Sequence, residues 1–110
     1  MRTGYSYEES IRVPLVVMDP RMPESMHNTR SDEFTLNIDL APTLLQAAKI
    51  HIPCVMQGRD FAPLYLNDDV GREAVNSSWR TEFYYEWFTG DKVFIPSSLA
   101  LVRNDSKYIY

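Results

Sequence analysis

Five groups of side chains in this 110-residue chain have types and spacings that could do chemistry. Asp68 and Asp69, in the phrase LYLNDDVG, could meet a divalent cation through their carboxylates. Two acids are too few ligands for a specific site, and the polar run around them suits a solvated linker turn. His51 and Cys54 stand at a possible metal-ligand spacing. A zinc site needs three or four protein ligands, whereas His27 is the only other histidine and Cys54 the only cysteine. A structural role after a helix is the plainer reading. Glu8 and Glu9 could form an acid/base pair, but beside Arg12 they suit ion pairs worth up to about 1 kcal/mol when exposed. The aromatic set Phe83, Tyr84, Tyr85, Trp87 and Phe88 could stack on a sugar ring. Its alternation makes Phe83, Tyr85 and Trp87 a packed sheet face and leaves Tyr84 and Glu86 for a partner or a cleft. Asn76-Ser77-Ser78 and Asn104-Asp105-Ser106 fit the glycosylation sequon, which matters only in a chain exported through a glycosylating pathway.

The elements that must position these groups are legible as periodicity. Arg12 to Met18 (RVPLVVM) is a short apolar, β-branched run, as expected of a strand covered on both faces. Pro14 lacks an N–H, so it belongs at an edge or at the first residues of that strand. Pro20 to Glu33 reads as a surface loop. Asp39 to Lys49 predicts a helix with Leu40, Ala41, Leu44, Leu45 and Ala48 on one face. Asp39 or Asn37 would cap it, Pro42 would lie in its first turn, and Pro53 bars any continuation. A second short helix is expected within Asp60 to Leu66, with Pro63 near its start. Asn67 to Ser78 reads as a polar connection. Strands are expected at Arg80 to Phe88, Leu99 to Arg103 and Lys107 to Tyr110, the last two around an Asn104-Asp105 turn.

Composition bounds the function. Apolar residues make up 45% and charged residues 24%, as in an ordinary globular domain. A net charge of −4 with scattered Lys and Arg argues against a nucleic-acid surface. No apolar run approaches the roughly 20 residues that span a bilayer, so no membrane partner is expected. The N-terminal MRTGYSYEES has no apolar stretch and does not read as a signal peptide, which leaves localisation open. One cysteine allows no internal disulfide.

Four phrases, in order, carry a more specific signal: YEESIRVPLVVMDPR, NIDLAPTLLQAAKI, MQGRDFAPL and WRTEFYYEW. Together they resemble the C-terminal part of a sulfatase, of the arylsulfatase-like group within the alkaline-phosphatase-like superfamily. The matching residues are Tyr7 to Leu15, Asn37 to Leu45, Met56 to Arg59 and Trp79 to Glu86, and IPSSLALVRNDSKYIY resembles the family's run into a KYI strand. The resemblance implies an α/β (α+β) fragment. Residues 1–66 would end the α/β domain with a late strand and a helix, 67–78 would link, and 79–110 would start a small antiparallel sheet.

The family's reaction is hydrolysis of a sulfate ester. It implies a formylglycine nucleophile made from a C/S-x-P-S-R motif, a divalent cation (usually calcium) held by aspartates and an asparagine, and a sulfated small molecule or glycan as substrate. None of these motifs maps onto this chain. Cys54 is followed by Val55-Met56-Gln57, and Ser97 and Ser98 follow Pro96 rather than precede it. A family lysine four residues before the first phrase's tyrosine falls on Thr3, beside Arg2. No catalytic, cofactor-binding or metal residue is therefore assigned, and the isolated chain is expected to be inert. The alternatives are a non-enzymatic interaction or carbohydrate-binding module, and part of a related phosphodiesterase or phosphonate hydrolase. A strand at Arg12 to Met18 without parallel neighbours would expose its edges, so self-association is expected. Where the family often ends the helix with glycine, this chain has Lys49. A left-handed cap there would cost about 1 kcal/mol relative to glycine.

Overall fold

The computed structural model describes residues 7–67, 75, 78–88 and 97–110. The chain divides into two compact units, one of Met1–Val17 with Arg80–Tyr110, the other Met18–Trp79.

The first unit contains a one-turn helix, α1 (Glu8–Ile11), and a three-stranded sheet, β1 (Glu82–Trp87), β2 (Ser98–Arg103) and β3 (Lys107–Ile109). The sheet is an antiparallel meander in the order β1-β2-β3. Register places Phe83, Tyr85 and Trp87 opposite Val102, Ala100 and Ser98, so these six share a face. On that face Ala100, Val102 and Ser98 are buried. The expected alternation of β1 is present: Glu82, Tyr84 and Glu86 are exposed, and the three intervening aromatics are half-buried. The other face carries Tyr84, Leu101 and Tyr108 in one row across the strands. Tyr110 extends the β3 edge by exchanging backbone hydrogen bonds with Leu99. The turn at Asn104-Asp105 is closed by the Arg103 N–H donating to the Ser106 carbonyl, 2.8 Å away.

The β-branched run at residues 12–18 behaves differently from expectation. Arg12 is extended (φ −93°, ψ 109°), but residues 12–18 form no ladder among the described residues. Val16 and Met18 are more than nine-tenths exposed. Propensity favours an extended backbone here, but a strand also needs a hydrogen-bonding neighbour, and the sheet formed by β1 to β3 does not supply one.

The second unit holds a 3-10 turn (Glu24–Met26) and two helices, α2 (Asn37–Ala47) and α3 (Pro63–Leu66). Its core comprises Met26, Phe61, Ala62, Leu64 and Trp79. The Phe61 and Tyr65 rings meet edge to face at 5.9 Å. Pro63 takes the first position of α3, where its missing N–H costs nothing.

The helix α2 begins two residues earlier than predicted and buries a different face. Leu36 stands at the N-cap and Asp39 at the third helical position. Pro42 therefore lies in the second turn, not the first. The buried positions are Asp39, Pro42 and Thr43, whereas Leu40 and Leu44 of the predicted apolar stripe are exposed. The hydrophobic stripe is real, but hydrogen bonds at Asp39 and Thr43 decide which side of the helix the loop 58–61 packs on.

The C-terminal end of α2 is a Schellman motif. The Lys49 N–H donates to the Gln46 carbonyl and the Ile50 N–H to the Leu45 carbonyl, both at 2.9 Å. Lys49 adopts φ 58° to allow this, so the left-handed cap forms without glycine.

Candidate functional site

Asp39 is the node on which the second unit is organised. It is wholly buried. Its Oδ2 accepts the Leu36 N–H at 2.8 Å, satisfying a donor just ahead of the helix. Its Oδ1 accepts the Arg59 N–H, also at 2.8 Å. One turn on, the Thr43 hydroxyl donates to the Asp39 carbonyl at 2.8 Å and accepts the Phe61 N–H at 3.0 Å. Two side chains of α2 thus hold the backbone at 59 and 61. Gly58 completes the junction. A Cβ at this position would collide with the Ile38 carbonyl, so only glycine lets the loop lie against the helix.

Arg59 and Trp79 extend the same cluster. The Arg59 guanidinium lies 5.9 Å from the Trp79 ring centroid. The Trp79 indole N–H donates to the Phe34 carbonyl at 2.9 Å. The MQGR phrase and the WR phrase, far apart in the chain, therefore meet at one place.

A second polar group surrounds Asp19. Its Oδ1 accepts the Arg21 backbone N–H at 2.9 Å and Nε at 3.0 Å, and its Oδ2 accepts Nη2 at 2.6 Å. The Tyr65 hydroxyl donates to Oδ2 at 3.3 Å. The Arg21 hydrogen bonds, first from the side chain and then from the backbone, pull the Asp19 pKa down to about 2. Burial, reinforced by the Asp19 charge, pushes the Tyr65 hydroxyl above its ordinary value.

Of the residues singled out in sequence, most of the described ones are exposed. Glu8 and Glu9 are exposed on α1. Glu8 pairs with Lys107 across the first unit, while Arg12 meets it only through a backbone hydrogen bond. The expected partner was thus the wrong cation: the β3 lysine reaches Glu8. His51, His27 and Cys54 are all exposed. Among the described residues no three His, Cys, Asp or Glu side chains group as metal ligands would. Asp68, Asp69, Thr3, Arg2, Asn76 and Ser77 lie outside the described residues. Asn104 and Asp105 are exposed at the β2–β3 turn, and Ser98 is buried in β2. The Asp39–Arg59 and Asp19–Arg21–Tyr65 contacts were not foreseen. The sequence marks Asp39 only as a cap, because its partner Arg59 is 20 residues away. The DPR phrase could have signalled the second group, since an Asp two residues before an Arg favours a local ion-paired turn.

The described residues do not fit the calcium and formylglycine that the resemblance implies. Both Asp39 oxygens accept backbone N–H groups, and Asp19 accepts three hydrogen bonds from Arg21 and one from Tyr65. Cys54 is exposed and free, within a sequence that lacks the x-Pro-Ser-Arg continuation. No described helix is long and apolar enough to cross a membrane.

Comparison with known proteins gives a consistent result. A family model described as N-sulphoglucosamine sulphohydrolase, C-terminal, matches residues 3–109. An arylsulfatase of Clostridium perfringens is 32% identical over 99% of this chain and 21% of its own length. An N-acetylglucosamine-6-O-sulfatase of Bacteroides thetaiotaomicron is 29% identical over 76% of the chain and 14% of its own length. The multifunctional alkaline phosphatase superfamily protein PehA of Trinickia caryophylli is 33% identical over 78% of the chain and 15% of its own length. The chain spans about a fifth or less of each of these three relatives.

Proposed function

The chain belongs to the N-sulphoglucosamine sulphohydrolase C-terminal family, a family of sulfatases, and from that premise we propose that it serves as the C-terminal part of a sulfuric ester hydrolase. The observation that carries this reading is the family match along nearly the whole chain, from residue 3 to residue 109. In the intact enzyme, residues 1–66 would complete the α/β domain, 67–78 would connect, and 79–110 would open the small antiparallel sheet. The substrate would be a sulfated small molecule or glycan. Calcium and formylglycine would be held by the parts of the enzyme that correspond to the uncovered length of the relatives.

On this reading the present residues contribute architecture rather than bond cleavage. The commitment of Asp39 to two backbone N–H groups supports that division of labour. A buried carboxylate with both oxygens satisfied is a fixed joint, because freeing it for a metal would strand two donors. Assay of the Met1–Tyr110 chain with an aryl sulfate and calcium tests the proposal. Turnover at the buffer rate is the expected result; metal-dependent turnover above it would refute inertness.

The match to the alkaline phosphatase superfamily protein favours one second reading, part of a related phosphodiesterase or phosphonate hydrolase. Assaying an intact enzyme that contains this chain with aryl sulfate and with a phosphate diester separates the two chemistries. The exposed run at Val13, Val16 and Met18 supports a further proposal, that the isolated chain self-associates.

A further inference from the structure

Strand β1 ends the described sheet on one side, with β2 as its neighbour on the other. The register shows which backbone groups of β1 are already bonded. Leu99 exchanges hydrogen bonds with Tyr110 on the β3 side of β2, and the Arg103 N–H donates to the Ser106 carbonyl on that same side. In an antiparallel ladder, alternate residues bond to opposite neighbours. Ser98, Ala100 and Val102 therefore bond toward β1, where they face Trp87, Tyr85 and Phe83. The N–H and C=O groups of Glu82, Tyr84 and Glu86 point the other way, and among the described residues no backbone group meets them there. We propose that this edge of β1 takes an extended basic segment of another protein as an added antiparallel strand, with a cationic residue at each end of three apolar ones.

Charge selects the occupant. Residues placed opposite Glu82, Tyr84 and Glu86 would share their face of the sheet. Glu86 faces Leu99 across the ladder, so β2 gives it no cation. Glu82 faces Arg103, whose Nε donates to Oε2 at 2.7 Å; Oε1 is left for a second cation. Two cations four residues apart, in a strand centred on Tyr84, match both carboxylates. Pairing of β1 with a second β1 would instead set Glu82 against Glu86 twice, and like charges directly opposite each other destabilise a ladder.

Packing sets the middle positions. Tyr84 is 57% exposed and stands in a row with Leu101 and Tyr108. An apolar residue opposite Tyr84 extends that row. Its two neighbours in the added strand fall on the other face, beside the half-buried Phe83 and Tyr85, where apolar side chains fit as well. This chain offers no such segment: its one pair of basic residues four apart, Arg103 and Lys107, encloses Asn104-Asp105-Ser106. The occupant therefore lies outside these 110 residues.

The open edge and the hydrolase reading are independent, so either can fail without the other. The test is an amide-shift and hydrogen-exchange titration of the isotopically labelled Met1–Tyr110 chain with acetyl-Thr-Lys-Val-Val-Val-Lys-Thr-amide and with its twin carrying Glu for Lys. In the free chain the Tyr84 amide should exchange at least about tenfold faster than the Tyr85 amide. The lysine peptide should give saturable shifts at Glu82, Tyr84 and Glu86, slow the exchange of Tyr84, and bind about fivefold tighter than its twin. Glu86→Lys should reverse that preference. Tyr84→Pro removes an outward N–H and spares the bonds to β2, so it should abolish binding of both peptides while the Ala100 amide stays protected. The proposal is overturned by a Tyr84 amide already protected in the free chain, by equal binding of the two peptides, or by a preference that survives Glu86→Lys. An intact enzyme that contains this chain and does not take the lysine peptide would also overturn it, because the enzyme's own chain then covers the edge.

Discussion

Gly58 lies so close against the Ile38 carbonyl that no side-chain carbon fits between them. Pro42 explains why the approach is possible at that carbonyl. In an uninterrupted helix the Ile38 oxygen would accept the N–H of residue 42, but proline has none. The break in the helical ladder and the glycine of the MQGR phrase are two halves of one contact.

Gly58→Ala should therefore destabilise the chain by about 2 kcal/mol or more, since the collision is with backbone and not with a movable side chain. Urea unfolding followed by tryptophan fluorescence would measure it. An unchanged midpoint would mean that the loop does not need this close approach.

Asp39→Ala should cost about 2–4 kcal/mol, because it leaves the Leu36 and Arg59 N–H groups without their acceptor. Asp39→Asn should recover part of that loss by presenting one oxygen. A hydrogen-exchange experiment should show the Arg59 amide losing protection in both variants. If it stays protected, the carboxylate is not what holds the loop.

Lys49→Gly should stabilise the chain by about 1 kcal/mol, and Lys49→Val should destabilise it. Both follow from φ 58° at the Schellman position. A thermal melt of the three proteins orders them; a Val variant as stable as the Gly variant would count against the cap.

Acid should weaken the second unit through Asp19. Its folded pKa of about 2 lies below the ordinary 3.8, so the unfolded chain binds this proton more readily. The stabilisation is complete above roughly pH 4 and is lost as pH falls toward 2. Arg21→Gln removes the main cause of the shift, so its stability should vary less across that window. Tyr65 acts in the opposite sense on the alkaline side: its raised value means that stability falls as pH rises beyond the ordinary 10.0. Unfolding midpoints of the two proteins from pH 2 to 5 provide the comparison.

Sedimentation of the isolated chain over a range of concentrations should reveal dimers or larger species, given Val16 at 91% and Met18 at 93% exposure. Replacing Val16 by Lys should shift the population toward monomer. A monomer at every concentration would remove the proposal of self-association.

Local order was legible in the chain itself. The β1 alternation, the turn at Asn104-Asp105, the short helix opened by Pro63 and the position of α2 all follow from neighbours in sequence, through side-chain period, turn chemistry and fixed proline geometry. The four phrases likewise placed the chain in its family. Three features depended on the fold. The strand-like run at 12–18 has the composition of a strand, but a ladder requires a partner that periodicity cannot supply. The buried face of α2 is set by Asp39 and Thr43 reaching residues 59 and 61, against the direction of its leucines. Glu8 pairs with Lys107 instead of Arg12, a contact between residues 99 positions apart that no local pattern encodes. Sequence encodes the preferences of each segment; hydrogen bonds between distant segments choose among them, and those exist only once the chain has folded.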